Sequence, residues 1–289
     1  KTGIGSWTEW DFLNSLRHGV RPNGEHLYPV FPYTAYTKVL NEDIAAMFAY
    51  LKSIPAVRQV TGENTLRFPF NQRALLGFWK ALYFDSGAFE SDPAQSEQLN
   101  RGTYLVEALA HCSACHTPRN SLGAQQRHLA MSGGEYLDRV ADGSYYPWSA
   151  PNLTSSSRGL GLWSQQDVED YLKTTRNDFL ESYGPMNEVI LNSTAHLSER
   201  DIASMAAYLK NLPAVDETAA VAPDSQVMGR GRTVYNLHCG TCHLPTGQGD
   251  SKMAPRLNGG SVVVQSDNPA SMINAILYGP QLPNHGLSK

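Results

Sequence analysis

The sequence predicts an all-α fold made of tandem domains, and three observations lead to that prediction. Apolar residues recur at helical spacing along much of the chain, whereas the alternation typical of β-strands is scarce. Part of the chain is repeated, and the four cysteines fall into two motifs of one form, Cys-x-x-Cys-His. At 289 residues, the chain is long enough for two or three compact domains of roughly 100–200 residues each.

An internal repeat relates the first part of the chain to its middle. Residues 3–8 (GIGSWT) match residues 159–164 (GLGLWS), 156 positions further on. Residues 49–52 and 207–210, both AYLK, match at an offset of 158 positions. The two-residue difference between the offsets indicates one small loop insertion, so both copies should share one fold.

Polar residues mark the expected starts of helices. Thr8 and Ser164 precede acidic or amide residues, a pattern typical of N-caps. Asn41 and Ser198 should begin the closing helices of the two copies, and Asn268, which precedes a proline, should begin another helix. The closing helix of the second copy carries an apolar stripe formed by Ile202, Met205, Ala206 and Leu209.

The order of motif and repeat indicates three domains. The Cys112 motif precedes the repeated segment of the second copy, so the first copy's own motif is expected before Lys1. The third copy has its motif at Cys239 but no counterpart of the closing helix, so we expect it to continue beyond Lys289. The predicted divisions are the C-terminal part of domain 1 (1–57), a connecting segment (58–95), domain 2 (96–215), and a final division (216–289). The connecting segment should contain a packed helix at 71–84. The final division consists of a linker (216–225) and the N-terminal part of domain 3.

The two cysteine motifs have the form of the attachment signature for c-type haem. Two-residue spacing lets one helical turn present both sulfurs to one edge of the porphyrin, and the histidine is a normal axial ligand of the iron. We therefore predict two covalently bound haem c groups in this chain and a third in the complete protein. The predicted attachment residues are Cys112, Cys115, Cys239 and Cys242, and the predicted iron ligands are His116 and His243.

Other readings of the cysteines explain less of the pattern. A four-thiolate zinc site would bring its pairs within a few tens of residues, but these pairs are 127 positions apart. A thioredoxin-like pair predicts a βαβ context, which is not seen in the sequence. A zinc site, a redox pair and structural disulfides all leave unexplained why a histidine follows each cysteine pair.

Met186 is the predicted sixth ligand of the middle haem. It lies in the segment YGPM, 70 positions after His116, where the glycine and proline indicate a loop. A core methionine that fills a gap is the alternative. Met131 is a weaker candidate for the same role, and the methionines at matching places in the two closing helices, Met47 and Met205, are better explained by packing.

The first copy has no methionine at the place that matches Met186, where residues 28–33 read YPVFPY. Its iron therefore has either an unusual ligand or an open position. Met253 follows His243 by only ten positions and is too near to reach around the ring. An open iron position keeps a second hypothesis in view, a multihaem peroxidase-like enzyme.

Two further residues are candidates for contacts with the middle haem. Arg119 follows the first motif and could neutralise a haem propionate, and Trp163 recurs in the repeat and could line the haem edge. A surface arginine and a core tryptophan are the alternatives, and the sequence does not separate the two readings.

The charge of the chain excludes one class of partner. Its 23 basic and 27 acidic residues give a formal net charge of −4, which provides no basic field for nucleic acid. No apolar run in the sequence approaches the ~20 residues that a membrane-spanning helix needs.

Several segments resemble the three-haem cytochrome c subunits of membrane-associated periplasmic dehydrogenases, such as those for alcohols, gluconate, sorbitol, fructose or aldehydes. The resemblance runs essentially from end to end. The segments that carry it are 100–107 (NRGTYLVE), 117–120 (TPRN), 150–154 (APNLT), 159–164 (GLGLWS) and 193–198 (STAHLS).

The resemblance implies class I cytochrome c domains, of which the first and third are incomplete here, and an electron-transfer subunit rather than an enzyme. Its partner would be the catalytic subunit of a flavin, quinoprotein or molybdenum dehydrogenase. Electrons would pass to membrane quinone or to another respiratory acceptor. The implied location is the periplasm, at the outer face of the inner membrane.

Overall fold

The chain divides by its internal contacts into two compact units. The first holds residues 1–96 and 103–114, and the second holds 97–102 and 115–289. The structure, a computed structural model, describes residues 3–59, 65–139, 145–215, 223–250 and 254–280.

Helices dominate the described residues, as the sequence predicts. The α-helices are α1 (Glu9–His18), α2 (Tyr33–Tyr36), α3 (Asn41–Ser53), α4 (Leu76–Tyr83), α5 (Glu97–Thr103), α6 (Ser113–His116), α7 (Gln165–Thr174), α8 (Pro185–Asn192), α9 (Glu199–Asn211), α10 (Ser225–His238), α11 (Gly240–His243) and α12 (Ala270–Tyr278). None of the helices in the described ranges is long and apolar enough to cross a membrane.

An antiparallel hairpin departs from the all-α prediction. Strand β1 (Gly134–Arg139) pairs with β2 (Tyr145–Ala150), and Tyr136 lies opposite Trp148. The hairpin is hard to recognise in the sequence because each strand has only six residues and Pro147 interrupts the second. The described fold is therefore mainly helical with one small two-stranded sheet.

The core of the first unit joins α1 and α3 to the π-helical stretch Tyr104–Leu109. Tyr104 also anchors the start of α3, because its hydroxyl accepts a hydrogen bond from the Leu40 backbone N–H at 3.1 Å and donates one to the Asp43 carboxylate. The buried residues of this core are Phe12, Leu16, Val39, Ile44, Tyr104 and Ala108.

Both predicted N-caps are confirmed. Thr8 Oγ1 accepts a hydrogen bond from the Asp11 N–H at 3.1 Å, and the Asp11 carboxylate accepts one from the Thr8 N–H at 2.9 Å. Ser164 and Asp167 make the same reciprocal pair at 3.1 and 2.7 Å. Such a capping box satisfies donors that the helix leaves free, and loss of an N-cap typically costs ~1 kcal/mol.

A cation near the end of each capped helix binds the chain that leads to the closing helix. Arg17 of α1 donates to the backbone carbonyl of Thr37 and, at 2.7 Å, to that of Val39. Lys173 of α7 donates to the carbonyl of Ala195 at 2.9 Å and to that of Leu197 at 2.6 Å. The repeated sequence therefore makes the same long-range contacts in each unit.

The crossing of α5 and α9 in the second unit depends on a glycine. A Cβ atom at Gly102 would lie 2.0 Å from the Ser204 carbonyl oxygen and 2.7 Å from the Tyr208 Cβ, so only a glycine lets the backbones approach this closely. On α9, the predicted apolar stripe is confirmed as buried: Ile202, Met205, Ala206 and Leu209.

One predicted connecting segment differs from expectation, and most of the other lies outside the described residues. Within 71–84 the α-helix begins only at Leu76, after a 3₁₀ turn (Arg73–Leu75), and much of its apolar side is exposed rather than packed, with Phe78 at 74% and Leu82 at 72% exposure. In the predicted linker, residues 216–222 lie outside the described residues, and Ser225 already begins α10.

We expect Gly102→Ala to destabilise the protein by about 1–3 kcal/mol or more, because the added methyl group must push α5 and α9 apart. The measurement is the urea midpoint of the haem-loaded full-length protein. Gly229→Ala is the matched control, because Gly229 also lies in a helix but has nothing within 4 Å of its added Cβ. Equal midpoints for the two variants would contradict a tight crossing at Gly102.

Candidate haem-attachment site

The first Cys-x-x-Cys-His motif follows a strained turn at the end of the π-helical stretch. His111, directly before Cys112, has a φ of 42°, which is rare for a residue with a side chain. The turn is held by hydrogen bonds from the Cys112 N–H to the Val106 carbonyl at 3.1 Å and from the Ala114 N–H to the His111 carbonyl at 2.8 Å. The backbone thus changes direction immediately before α6, which carries the rest of the motif.

His116 is buried and its ring orientation is fixed. Its Nδ1 lies 2.8 Å from the carbonyl oxygen of Pro151. Because a carbonyl only accepts hydrogen bonds, Nδ1 carries the proton and Nε2 keeps its lone pair. Burial lowers the pKa of His116, and the bond to Pro151 opposes that shift only in part. The side chain is therefore a neutral imidazole with Nε2 available to a metal.

The second motif repeats this arrangement on different elements. α10 leads into the short α11, and His243 Nδ1 lies 2.7 Å from the Pro255 carbonyl oxygen. The hydroxyl of Tyr235 donates to the Leu244 carbonyl at 2.7 Å and so fixes the end of the motif. Each motif histidine thus donates through Nδ1 to a proline carbonyl and leaves Nε2 available.

These residues fit covalent haem better than the rival groups. All four cysteines are free thiols rather than disulfides. Among the described residues, no group of three or more His, Cys, Asp or Glu side chains comes together as a metal site. Two thiols and one oriented imidazole within five residues are the donor set that a c-type haem requires.

The hairpin, which the sequence did not predict, lies against the first motif. A Cβ atom at Gly134 would lie 2.4 Å from the Cys115 carbonyl oxygen, so β1 packs directly on the motif backbone. The pKa of Tyr136 is raised by burial and then by the charges of Asp138, Cys115 and Glu188. The hairpin is therefore near both the motif and α8, which carries Met186.

Met186 and Met131 occupy different surroundings. Met186 lies in the first turn of α8 and not in the predicted loop, because Pro185 takes the first position of the helix. It is half-buried and follows Gly184, whose φ of 63° makes the turn into the helix. Met131 is fully buried with a φ of 61°, and its N–H donates to Thr117 Oγ1 at 3.0 Å. Met131 is thus tied to the residue that directly follows His116.

The two other candidates make contacts with protein groups. Arg119 is exposed, and one of its terminal nitrogens donates to the Gly123 carbonyl at 2.8 Å. Trp163 is 3% exposed, stacks on Phe179 with ring centroids 5.6 Å apart, and donates from Nε1 to the Gly260 carbonyl at 2.7 Å. Their roles toward a haem stay predictions. Met253 lies outside the described residues.

Comparison with known proteins finds related cytochromes. No protein-family model matches the chain. It is 36% identical over 98% of its length to the gluconate 2-dehydrogenase cytochrome c subunit of Pantoea cypripedii, of which it covers 67%. It is 35% identical over 96% of its length to the fructose dehydrogenase cytochrome subunit of Gluconobacter japonicus, and it spans only 60% of that relative.

A shorter relative agrees with these two. The chain is 38% identical over 74% of its length to a "Diheme cytochrome c-type" protein of Cereibacter sphaeroides, of which it covers 69%. These relatives are named as cytochromes or cytochrome subunits rather than as catalytic subunits, and none of the three is named as a peroxidase. The peroxidase-like alternative therefore finds no support.

We expect Gly134→Ala to lower the stability of the haem-loaded protein by about 1–3 kcal/mol, because the added methyl group separates the hairpin from the motif. Thermal unfolding measures the effect. Gly240→Ala, a glycine inside the second motif, is the control, since the nearest atom to its added Cβ is 3.5 Å away. If both variants unfold at the wild-type temperature, β1 does not pack on the motif in solution.

Proposed function

This chain belongs to the family of cytochrome c subunits of dehydrogenase complexes, and from that premise we propose that it relays electrons from a dehydrogenase catalytic subunit to membrane quinone or another respiratory acceptor. One observation carries the proposal. In both motifs two free thiols precede a histidine whose Nδ1 donates to a proline carbonyl, at 2.8 Å in one motif and 2.7 Å in the other. Haem c, when bound, supplies an iron that cycles between the ferric and ferrous states.

The chain's own residues have distinct roles in this proposal. The motif thiols would add across the vinyl groups of the porphyrin, and the resulting thioether bonds would prevent loss of the group. The Nδ1–H donors of the two histidines fix the rings and leave Nε2 as the iron ligand. Arg119 and Trp163 are proposed to approach the middle haem, Arg119 by balancing the charge of a propionate.

Met186 is the proposed sixth ligand of the middle haem. A second ligand to the iron would have to come from a part of the chain that is not tied to His116. The backbone near Met131 is tied to the His116 side, because the Gly133 N–H donates to the His116 carbonyl at 3.0 Å. Met186 instead comes from α8, 70 positions along the chain. The Met186 thioether would leave no site for substrate on the iron, which would suit an electron carrier.

The remaining details of the proposal follow the family resemblance. The proposal includes class I cytochrome c domains with the boundaries that the sequence predicts, and a third haem as in the three-haem family that the chain resembles. The donor is a catalytic subunit of the flavin, quinoprotein or molybdenum type. The complex is placed in the periplasm, at the outer face of the inner membrane.

We expect the full-length protein to bind close to three haems per chain by pyridine haemochrome absorbance. The count should fall by one in Cys112→Ala/Cys115→Ala and by one in Cys239→Ala/Cys242→Ala, because each pair holds its own group. Ser113→Ala is the control, since it changes a motif residue that provides no sulfur. A wild-type protein without haem, or a count unchanged in both double variants, would overturn the proposed function.

We expect Met186→Leu to remove the methionine–iron charge-transfer band of the middle haem and to lower its reduction potential, because the thioether ligand is lost. Redox titration with optical detection measures both effects. Met205→Leu is the control, because Met205 is buried in α9 with 1% exposure and is not a proposed ligand. Loss of the band in Met131→Leu instead would assign the ligand to Met131.

A further inference from the structure

The two motif histidines are held by copies of one short segment. Each donates to the proline carbonyl of an Ala-Pro-x-Leu sequence, which occupies residues 150–153 in the middle domain and 254–257 in the third copy. The two segments differ at the residue after the proline, which is Asn152 in one and Arg256 in the other. This position therefore distinguishes the contacts of the third copy from those of the second.

Asn152 bonds within its own domain, whereas Arg256 contacts the domain before it. The Asn152 Oδ1 accepts a hydrogen bond from the Thr154 N–H at 2.8 Å, and its Nδ2 donates to the Val215 carbonyl at 2.9 Å. The guanidinium carbon of Arg256 instead lies 4.9 Å from the centre of the Phe179 ring in the middle domain. Its Nε is buried without a hydrogen-bond partner among the described residues, so the face of the ring offsets part of the cost of burying the cation.

Phe179 belongs to a packed junction between the second and third copies. Its ring stacks on that of Trp163, with centroids 5.6 Å apart and an angle of 15° between the planes. The Trp163 Nε1–H donates to the Gly260 carbonyl at 2.7 Å, and a Cβ atom at Gly260 would lie 2.6 Å from the Phe179 ring. We call Trp163, Phe179, Arg256 and Gly260 the inter-copy junction. All four residues lie in the second compact unit.

The inter-copy junction is connected to both motif histidines. Arg256 directly follows the proline whose carbonyl lies 2.7 Å from His243 Nδ1. In the middle domain, the Trp163 N–H donates to the Leu160 carbonyl at 3.0 Å. The Leu160 N–H donates at 2.8 Å to a carbonyl that lies three positions after the proline that holds His116. A continuous set of contacts therefore runs from one motif histidine to the other.

We propose that the contact of Arg256 with Phe179 closes the inter-copy junction, fixes the separation of the two haem-attachment sites and so sets the rate at which one electron passes between their haems. This proposal rests on the proposed function. The exchange takes one electron from a ferrous iron to a ferric iron and needs no other reactant. Because electron transfer between two sites slows steeply as they move apart, partial opening of the junction lowers the rate. Arg256 is thus a positioning residue.

Hydrogen exchange of the Trp163 indole N–H measures whether the junction is closed. This N–H bonds across the junction to the Gly260 carbonyl, so it exchanges with solvent when the junction opens. In the haem-loaded full-length protein we expect it to exchange far more slowly than the indole N–H of Trp10, which is 67% exposed. The comparison needs no substitution in the junction. Equal exchange of the two indoles would overturn the proposal.

Substitution of Arg256 tests whether its contact closes the junction. We expect Arg256→Gln to speed exchange of the Trp163 indole N–H by about tenfold, because the cation no longer lies on the ring. Arg200→Gln is the matched control, because the Arg200 side chain is 78% exposed and pairs with Glu97 at the surface. Exchange that is unchanged in Arg256→Gln would overturn the proposal.

The rate of electron exchange between the two haems tests the functional part of the proposal. It is followed by flash photoreduction of the full-length protein, and each haem is identified by its absence in its own double cysteine variant. We expect Arg256→Gln and Phe179→Leu to slow the exchange by similar factors, and the double variant to be no slower than either, because both remove one contact. Arg256→Lys should also slow it, because lysine keeps the charge but not the planar group that stacks on the ring.

Haem content, measured first, separates this proposal from the function on which it rests. A rate that Arg256→Lys restores in full would assign the effect to charge alone and overturn the proposal. Haem present, with the same internal rate in the Arg256 and Phe179 variants as in the wild type, would overturn it too and leave the proposed function intact. A protein without haem would overturn both.

Discussion

The hydrogen bond from His116 Nδ1 to the Pro151 carbonyl is the contact on which the site in the second unit depends. It selects the tautomer that leaves Nε2 free, and it joins the motif to a segment 35 positions away. Pro151 directly follows β2, so the orientation of one imidazole is coupled to the position of the hairpin. The close approach of Gly134 to the Cys115 carbonyl holds the hairpin from its other strand.

The same hydrogen bond in the second motif shows which features are essential. His243 reaches the Pro255 carbonyl across only 12 positions. The shared element is therefore a carbonyl placed opposite Nδ1, and the chain supplies it by different routes. A proline suits this role because its fixed φ restricts the backbone that carries the carbonyl, and it has no N–H to compete for the acceptor.

Features that depend on neighbouring residues could be predicted from the sequence, whereas features that join distant segments could not. The attachment motifs and the capping boxes at Thr8 and Ser164 are complete within a few residues, so their chemistry is visible in the sequence. The carbonyl partner of His116 depends on strand pairing. Since β2 contains a proline and little alternation, no local pattern indicates that pairing.

The helix α4 shows a different limit of sequence patterns. Its apolar spacing predicted a packed helix, yet Leu82 is exposed and the inward contacts are made by Lys80. The Lys80 ammonium donates to the carbonyls of His18 at 2.6 Å and Gly19 at 2.8 Å, at the negative end of the α1 dipole.

Burial lowers the pKa of Lys80 to about 8, which reflects the cost of removing the ammonium from water. The helix C-terminus offsets this cost because its last carbonyls lack partners within the helix. A cation can therefore bind α4 to the end of α1 while the apolar residues of α4 stay exposed. Periodicity defines the faces of a helix, but the groups available on its neighbour decide which face turns inward.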